Sequence, residues 1–153
     1  MSEKVLGVDI GGVIKSGSFP GGEVPRSFES IKELKENGFF TKIFVVSRCF
    51  YSLRTDLLHW LEEHCFWERS GLTPDDIHFC CLTYQKKEIS QKLGLTHFLD
   101  DRLNVLGSLK GVVRERFFFH QIYMLNLPDG IRQVFSWADF LRLLRAETAL
   151  GSE

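Results

Sequence analysis

Val5-Leu6-Gly7-Val8-Asp9-Ile10-Gly11-Gly12-Val13 is an apolar run that ends in an acid and a pair of glycines. A strand with one wet face alternates apolar and polar residues, whereas a strand apolar throughout lies in a parallel sheet covered by helices on both sides. Reading outward, runs of the same kind occur at Lys42–Ser47 (KIFVVS), Ile77–Leu82 and Thr96–Leu99, and a fifth strand is expected within Val112–Phe119. Helical spacing fills the gaps. Phe28, Ile31 and Leu34 recur every three residues before Gly38, and Phe50, Leu53, Leu57, Leu61 and Cys65 mark one face of a second helix. Tyr84–Leu93 reads as a helix stopped by Gly94, and Leu103, Leu106 and Leu109 as a short one. Ser136-Trp137-Ala138-Asp139 opens the last helix with capping-box spacing and an apolar face of Trp137, Phe140, Leu141 and Leu144. Residues 15–25, with Gly17, Pro20, Gly21, Gly22 and Pro25, form a flap-like loop. The expected fold is α/β: a three-layer, Rossmann-like doubly wound sheet, mostly parallel, of about five strands, within a single domain spanning residues 1–153.

Composition narrows the function classes. The 153 residues are 44% hydrophobic, enough for one full core, and 19 basic against 20 acidic residues leave a net charge of −1. That balance argues against nucleic-acid binding through bulk charge. Apolar stretches such as Ile43–Val46 and Phe117–Phe119 fall far short of the ~20 residues of a membrane span. Met1-Ser2-Glu3-Lys4 runs straight into a strand without a signal-peptide pattern, so a cytoplasmic address is expected. Cys49, Cys65, Cys80 and Cys81 lack CxxC spacing and read as buried free thiols, and the five histidines show no metal-binding pattern. No GxGxxG joins the first strand to its helix, which excludes a dinucleotide fingerprint.

In parallel sheets the functional crevice lies beyond the carboxyl ends of the strands. Asp9, Ser47, Asp100 and Asp101 stand at those ends, and Lys86, near the start of a helix, can reach the same edge; Lys87 is the alternative. Each has a plain structural reading: Asp9 as a turn residue, Asp100-Asp101 as caps for the next helix, the lysines as a solvated pair. Their convergence argues for more. Three carboxylates at one edge repel one another, and a divalent cation with one lysine brings the formal sum to zero. Oxygen donors favour a hard ion, Mg²⁺ above all. A phosphate dianion can then enter, and Arg48 and Arg102, each following a candidate, read equally as contacts for such an anion or as partners in ordinary surface salt bridges.

Asp9-Ile10-Gly11-Gly12-Val13, Ser47, Lys86 and Phe98-Leu99-Asp100-Asp101, in this order, resemble the four motifs of the haloacid dehalogenase (HAD) superfamily over roughly residues 4–120. The resemblance implies a Mg²⁺-dependent phosphohydrolase with an aspartyl-phosphate intermediate on Asp9. It implies metal ligands at Asp9, the Gly11 carbonyl, Asp101 and, directly or through water, Asp100. Phosphate would be bound by Gly11, Gly12, Ser47, Arg48 and Lys86, with Ser47 and Lys86 assisting catalysis. In one respect the chain departs from the pattern: phosphatases of the family carry a second Asp two residues after the nucleophile, as general acid and base, and here Gly11 stands there. Activity is therefore expected to be weak or limited to activated phosphate esters, and the alternative is a catalytically silent protein that binds phosphate, metal or a partner. The intervals between motifs leave no room for a large cap domain. The expected partner is a phosphorylated small molecule or macromolecule, and an uncapped site suits a macromolecular substrate, or a cap supplied by another subunit of an oligomer, better than a fully enclosed metabolite. Val8-Asp9-Ile10-Gly11-Gly12-Val13-Ile14-Lys15 also resembles the phosphate loop of hexokinase-type sugar kinases, but those need two domains and leave Asp100-Asp101 unexplained.

Overall fold

The computed structural model describes residues 3–17 and 21–151. Six strands form one sheet: β1 (Val5–Val8), β2 (Lys42–Arg48), β3 (Ile77–Cys80), β4 (His97–Asp100), β5 (Glu115–Phe119) and β6 (Ile131–Val134). Their order is β3-β2-β1-β4-β5-β6, and every neighbouring pair is parallel. The chain therefore winds outward from β1 to β3 and returns to start again with β4 at its other side. This makes the β1/β4 boundary the point where strand order reverses and loops diverge, leaving a crevice.

The strand count corrects the expectation of about five. β6 escapes a search for apolar runs because it is an edge strand with Arg132 and Gln133 at its centre, only Ile131 and Val134 being buried. Its middle is held by charge: Arg132 pairs with Glu115 on β5 and with Glu147.

Six helices cover the sheet: α1 (Ser27–Glu36), α2 (Tyr51–Glu63), α3 (Phe66–Ser70), α4 (Gln85–Leu93), α5 (Leu103–Ser108) and α6 (Trp137–Gly151). One apolar layer joins Leu6 and Val8 of β1 to Phe28, Ile31 and Leu34 of α1, Leu61 of α2, Phe66 of α3 and the Trp137, Phe140, Leu141, Leu144 face of α6. Phe28 sits at its centre, edge-on to Trp60 and Phe66 with ring centroids 6.1 and 4.9 Å away. The opposite layer packs Phe98, Val46 and Phe118 of the sheet against Val105 and Leu106 of α5, with Ile89 and Leu93 of α4 alongside. Full burial of side chains of this size contributes about 1.5–3 kcal/mol each, so the two layers supply most of the driving force.

The second helix departs from its expected face. Leu61 is buried, but Phe50 and Leu53 are 60% and 51% exposed and Cys65 is also exposed. Only Trp60 and Leu61 of α2 are buried, so the helix meets the core through its C-terminal end while its first turns stand clear. All four cysteines are free, yet Cys80 alone is buried.

Between β1 and α1 the chain folds back on itself, with Lys15 bridged to Glu23 and the Val24 N–H donating to the Ile14 carbonyl at 2.8 Å. Two indoles fasten this strap: Trp137 Nε1 donates to the Val13 carbonyl at 2.7 Å and Trp60 Nε1 to that of Gly21 at 3.1 Å. The expected flap covers the same segment, and its residues 18–20 lie outside the described residues. Among the described residues no cap-sized insertion interrupts the alternation of strands and helices, and no helix is long and apolar enough to cross a membrane.

Candidate active site

Asp9 is the first residue beyond β1, and its N–H donates across the switch point to the Leu99 carbonyl at 3.1 Å. Asp100 closes β4 and Asp101 follows it. Adjacent parallel strands thus deliver the carboxylates from positions some ninety residues apart. Gly12 makes the approach feasible: its φ is +78°, and a Cβ there would lie 2.1 Å from Asp101 Oδ2.

Lys86 arrives from the other side as the second residue of α4. The turn before it is fixed by Gln85, whose Oε1 accepts the N–H groups of Cys81 and Leu82, both at 2.9 Å. With the helix start set, Lys86 Nζ donates to Asp9 Oδ1 and to Asp100 Oδ2, each at 2.9 Å, and the residue is 2% exposed. Lys87 is exposed. Asp100 also accepts the Arg102 N–H at 3.0 Å through Oδ1, so both its oxygens are engaged. Asp101 Oδ1, by contrast, is buried without a partner.

Oxygens of Asp9, Asp100 and Asp101 all lie within 4.8 Å of one another. Burial, and then the charge of Asp9, push the Asp100 carboxyl up to about 7, and the same two causes raise Asp101. Burial works against the charged form of Lys86, but Asp9 and Asp100 outweigh it and hold the ammonium above its ordinary range. One lysine does not neutralise three carboxylates. The surplus negative charge, the oxygen-only donor set and the orphaned Asp101 oxygen together fit a hard divalent cation such as Mg²⁺.

A pocket of about 240 Å³ opens above the cluster, lined by Asp9, Lys86 and Asp101 together with Ser47, Arg48, Thr83 and Arg102. Gly11 and Gly12 border it as well. The candidates of the sequence other than Lys87 thus meet at one place, with Asp100 fully buried and paired with Lys86. Thr83 is a polar lining residue that the sequence reading misses, as it does Gly17 and Val105. It sits in the loop leaving β3, and the rule that ligands bind beyond the carboxyl ends of strands is the signal that points to it. Its Oγ1 accepts a hydrogen bond from Arg48 Nη1 at 3.3 Å. At Gly11 nothing lies within 4 Å of the place a Cβ would take, so the position is empty space facing the pocket.

No protein-family model matches the chain, and no curated protein matches it in sequence. Solved structures do match in fold. The D,D-heptose 1,7-bisphosphate phosphatase of B. bronchiseptica, crystallised with magnesium and phosphate, aligns over 94% of this chain and 99% of its own, with a TM-score of 0.70 and 15% identity. The enzyme of the same name from Burkholderia thailandensis gives a TM-score of 0.67 at 20% identity over 93% of this chain and 99% of its own. A haloacid dehalogenase-like hydrolase from Burkholderia xenovorans covers 79% of this chain and 57% of its own, with a TM-score of 0.57 and 11% identity. The chain has the fold of the HAD phosphatases.

Proposed function

We propose that the chain is a Mg²⁺-dependent phosphohydrolase that works through an aspartyl-phosphate on Asp9. The observation that carries this reading is Lys86 clamped between Asp9 and Asp100 with the unpartnered oxygen of Asp101 beside them, beneath a pocket of about 240 Å³. A carboxylate oxygen of Asp9 attacks phosphorus, and the bond to the leaving oxygen breaks with its electron pair. Water then attacks the phosphorus of the acyl phosphate, releasing inorganic phosphate and restoring the carboxylate. Lys86 Nζ and the Ser47 hydroxyl hold the phosphoryl oxygens, and Arg48 and Arg102 add positive charge at the rim. Asp9, Asp101 and the Gly11 carbonyl, with Asp100 in support, would hold a magnesium ion, which when bound would supply charge neutralisation for the incoming dianion.

No side chain at position 11 protonates the leaving group. General acid–base assistance contributes about 10²–10⁴-fold, so without it the reading favours acyl, aryl and anhydride phosphates over alkyl esters. That same empty position favours a second reading, a phosphate- or partner-binding protein without turnover. Acetyl phosphate separates the two. Magnesium-dependent release of phosphate, with a hydroxylamine-labile phosphoprotein that disappears in Asp9→Asn, supports the hydrolase. Absence of both, while Mg²⁺ still raises the melting temperature, supports the silent binder.

A further inference from the structure

A second cavity, of about 340 Å³, lies between the strap and α2. It shares both walls with the pocket above the carboxylates. On one side the Gly12 N–H donates to the Lys15 carbonyl at 2.8 Å, Gly12 bordering the first pocket and Lys15 the second cavity. On the other, Arg48 lines the first and the next residue, Cys49, lines the second. The two are therefore neighbours along one cleft. The floor of the second is a face of α2, on which Leu53, Leu57 and Trp60 fall at helical spacing. Trp60 is fixed there by its hydrogen bond to the Gly21 carbonyl, while Leu53 is 51% exposed and Leu57 only partly buried. The fold thus leaves hydrocarbon uncovered in a concave place.

The two linings differ in chemistry. The first sets Lys86, Arg48 and Arg102 against Asp9 and Asp101, a surplus of positive charge that suits an anion. The second sets Lys15 and His59 against Asp56 and Glu63, with no such surplus, over an apolar floor. Size separates them too. Pockets that enclose organic ligands run to ~300–1,000 Å³, a range that the second cavity enters and the first, at about 240 Å³, does not. We infer that the second cavity is a binding site for the uncharged hydrocarbon chain of a small phosphorylated ligand, so that one cleft takes the phosphoryl group at one end and the chain at the other. As a statement about substrates this rests on the phosphohydrolase reading, in which the chain belongs to the leaving group. Binding of the chain is separable from turnover.

Calorimetric titration of the full chain in Mg²⁺ with methylphosphonate and butylphosphonate, neither of which can be hydrolysed, measures the second cavity alone. A fully buried methylene is worth about fourfold in affinity, so butylphosphonate, with its longer chain partly covered, is expected to bind about tenfold tighter. A carboxylate at the far end of the same chain, as in 4-phosphonobutyrate, should abolish that gain in the native protein, since the second lining offers no surplus positive charge. Leu53→Asp, at a half-exposed position, should keep the melting temperature and the affinity for methylphosphonate while the advantage of butylphosphonate disappears. Equal affinities for the two alkylphosphonates, failure of either to bind, a 4-phosphonobutyrate that binds as well as butylphosphonate, or an advantage that survives in Leu53→Asp overturns the inference. Acetyl phosphate keeps the two readings apart. If it is not turned over, the hydrolase reading fails and the phosphonates still decide the second cavity. If it is turned over and the phosphonates bind alike, the inference about the chain alone fails.

Discussion

Asp101→Asn removes one carboxylate from the cluster and keeps its shape. The Asp9, Asp100 and Asp101 oxygens lie within 4.8 Å of one another, a distance at which two unit charges repel by ~3.5 kcal/mol at an effective dielectric constant of about 20. Attraction to Arg102 offsets part of this, leaving about 1–3 kcal/mol of net strain in the metal-free protein. The variant is therefore expected to be more stable than the native chain in EDTA at pH about 8, melting roughly 2–10 °C higher. Addition of Mg²⁺ should reverse the ranking, because the native chain gains a cation that an amide in place of the Asp101 carboxylate holds less well. Paired thermal melts with EDTA and with excess Mg²⁺ read both effects. If Asp101→Asn melts lower than the native chain in EDTA, or gains as much from Mg²⁺, these carboxylates do not form one cation site.

Lys86→Met leaves Asp9 and Asp100 buried without their ammonium and should cost about 3–5 kcal/mol by urea unfolding in EDTA; adding Asp100→Asn should recover part of the loss, and a single variant as stable as the native chain refutes the clamp. Gly11→Asp enters open space, so it should fold normally and raise turnover of alkyl phosphates by about 10²-fold or more through a restored proton donor; a folded, metal-binding variant with no gain shows that the site lacks more than an acid. Burial, aided by the charges of Arg114, Lys4 and Arg132, lowers His97 from 6.5 to about 4, so the ring is neutral in the fold while the unfolded chain takes up its proton at higher pH. Its contribution is intact above pH about 6.5 and lost as pH falls towards about 4, a change of ~3 kcal/mol. The difference in unfolding free energy between the native chain and His97→Leu should shrink across that interval, and parallel pH profiles would contradict it.

The sheet is legible wherever burial on both faces leaves an unbroken apolar run, as at Val5–Val8 and at residues 43–46 within β2. β6 is not, since an edge strand needs no such run and is held partly by ion pairs between Arg132 and two glutamates. Asp9, Ser47, Asp100 and Asp101 can be found from the sequence because the ends of strands in a parallel sheet fall along one edge. The choice between Lys86 and Lys87 cannot. Neighbouring residues on a helix point about 100° apart, and which one faces the crevice depends on where the helix begins. That start is set by the Gln85 side chain reaching back to Cys81 and Leu82, a contact that no periodicity records. For α2, spacing identifies a stripe without saying how much of it reaches the core.

The indole fastenings of the strap at Val13 and Gly21 have an architectural corollary. Between them the Ser16 N–H donates to the Gly22 carbonyl and the Gly22 N–H to Ser16 Oγ, both at 2.9 Å, forming a closed neck. Chain inserted beyond that neck hangs from two anchored posts and loads neither the sheet nor the carboxylate cluster. Because closing a loop twice as long costs only about 0.6 kcal/mol more, this is the place where a roof over the open mouth can be grafted with little penalty to the scaffold.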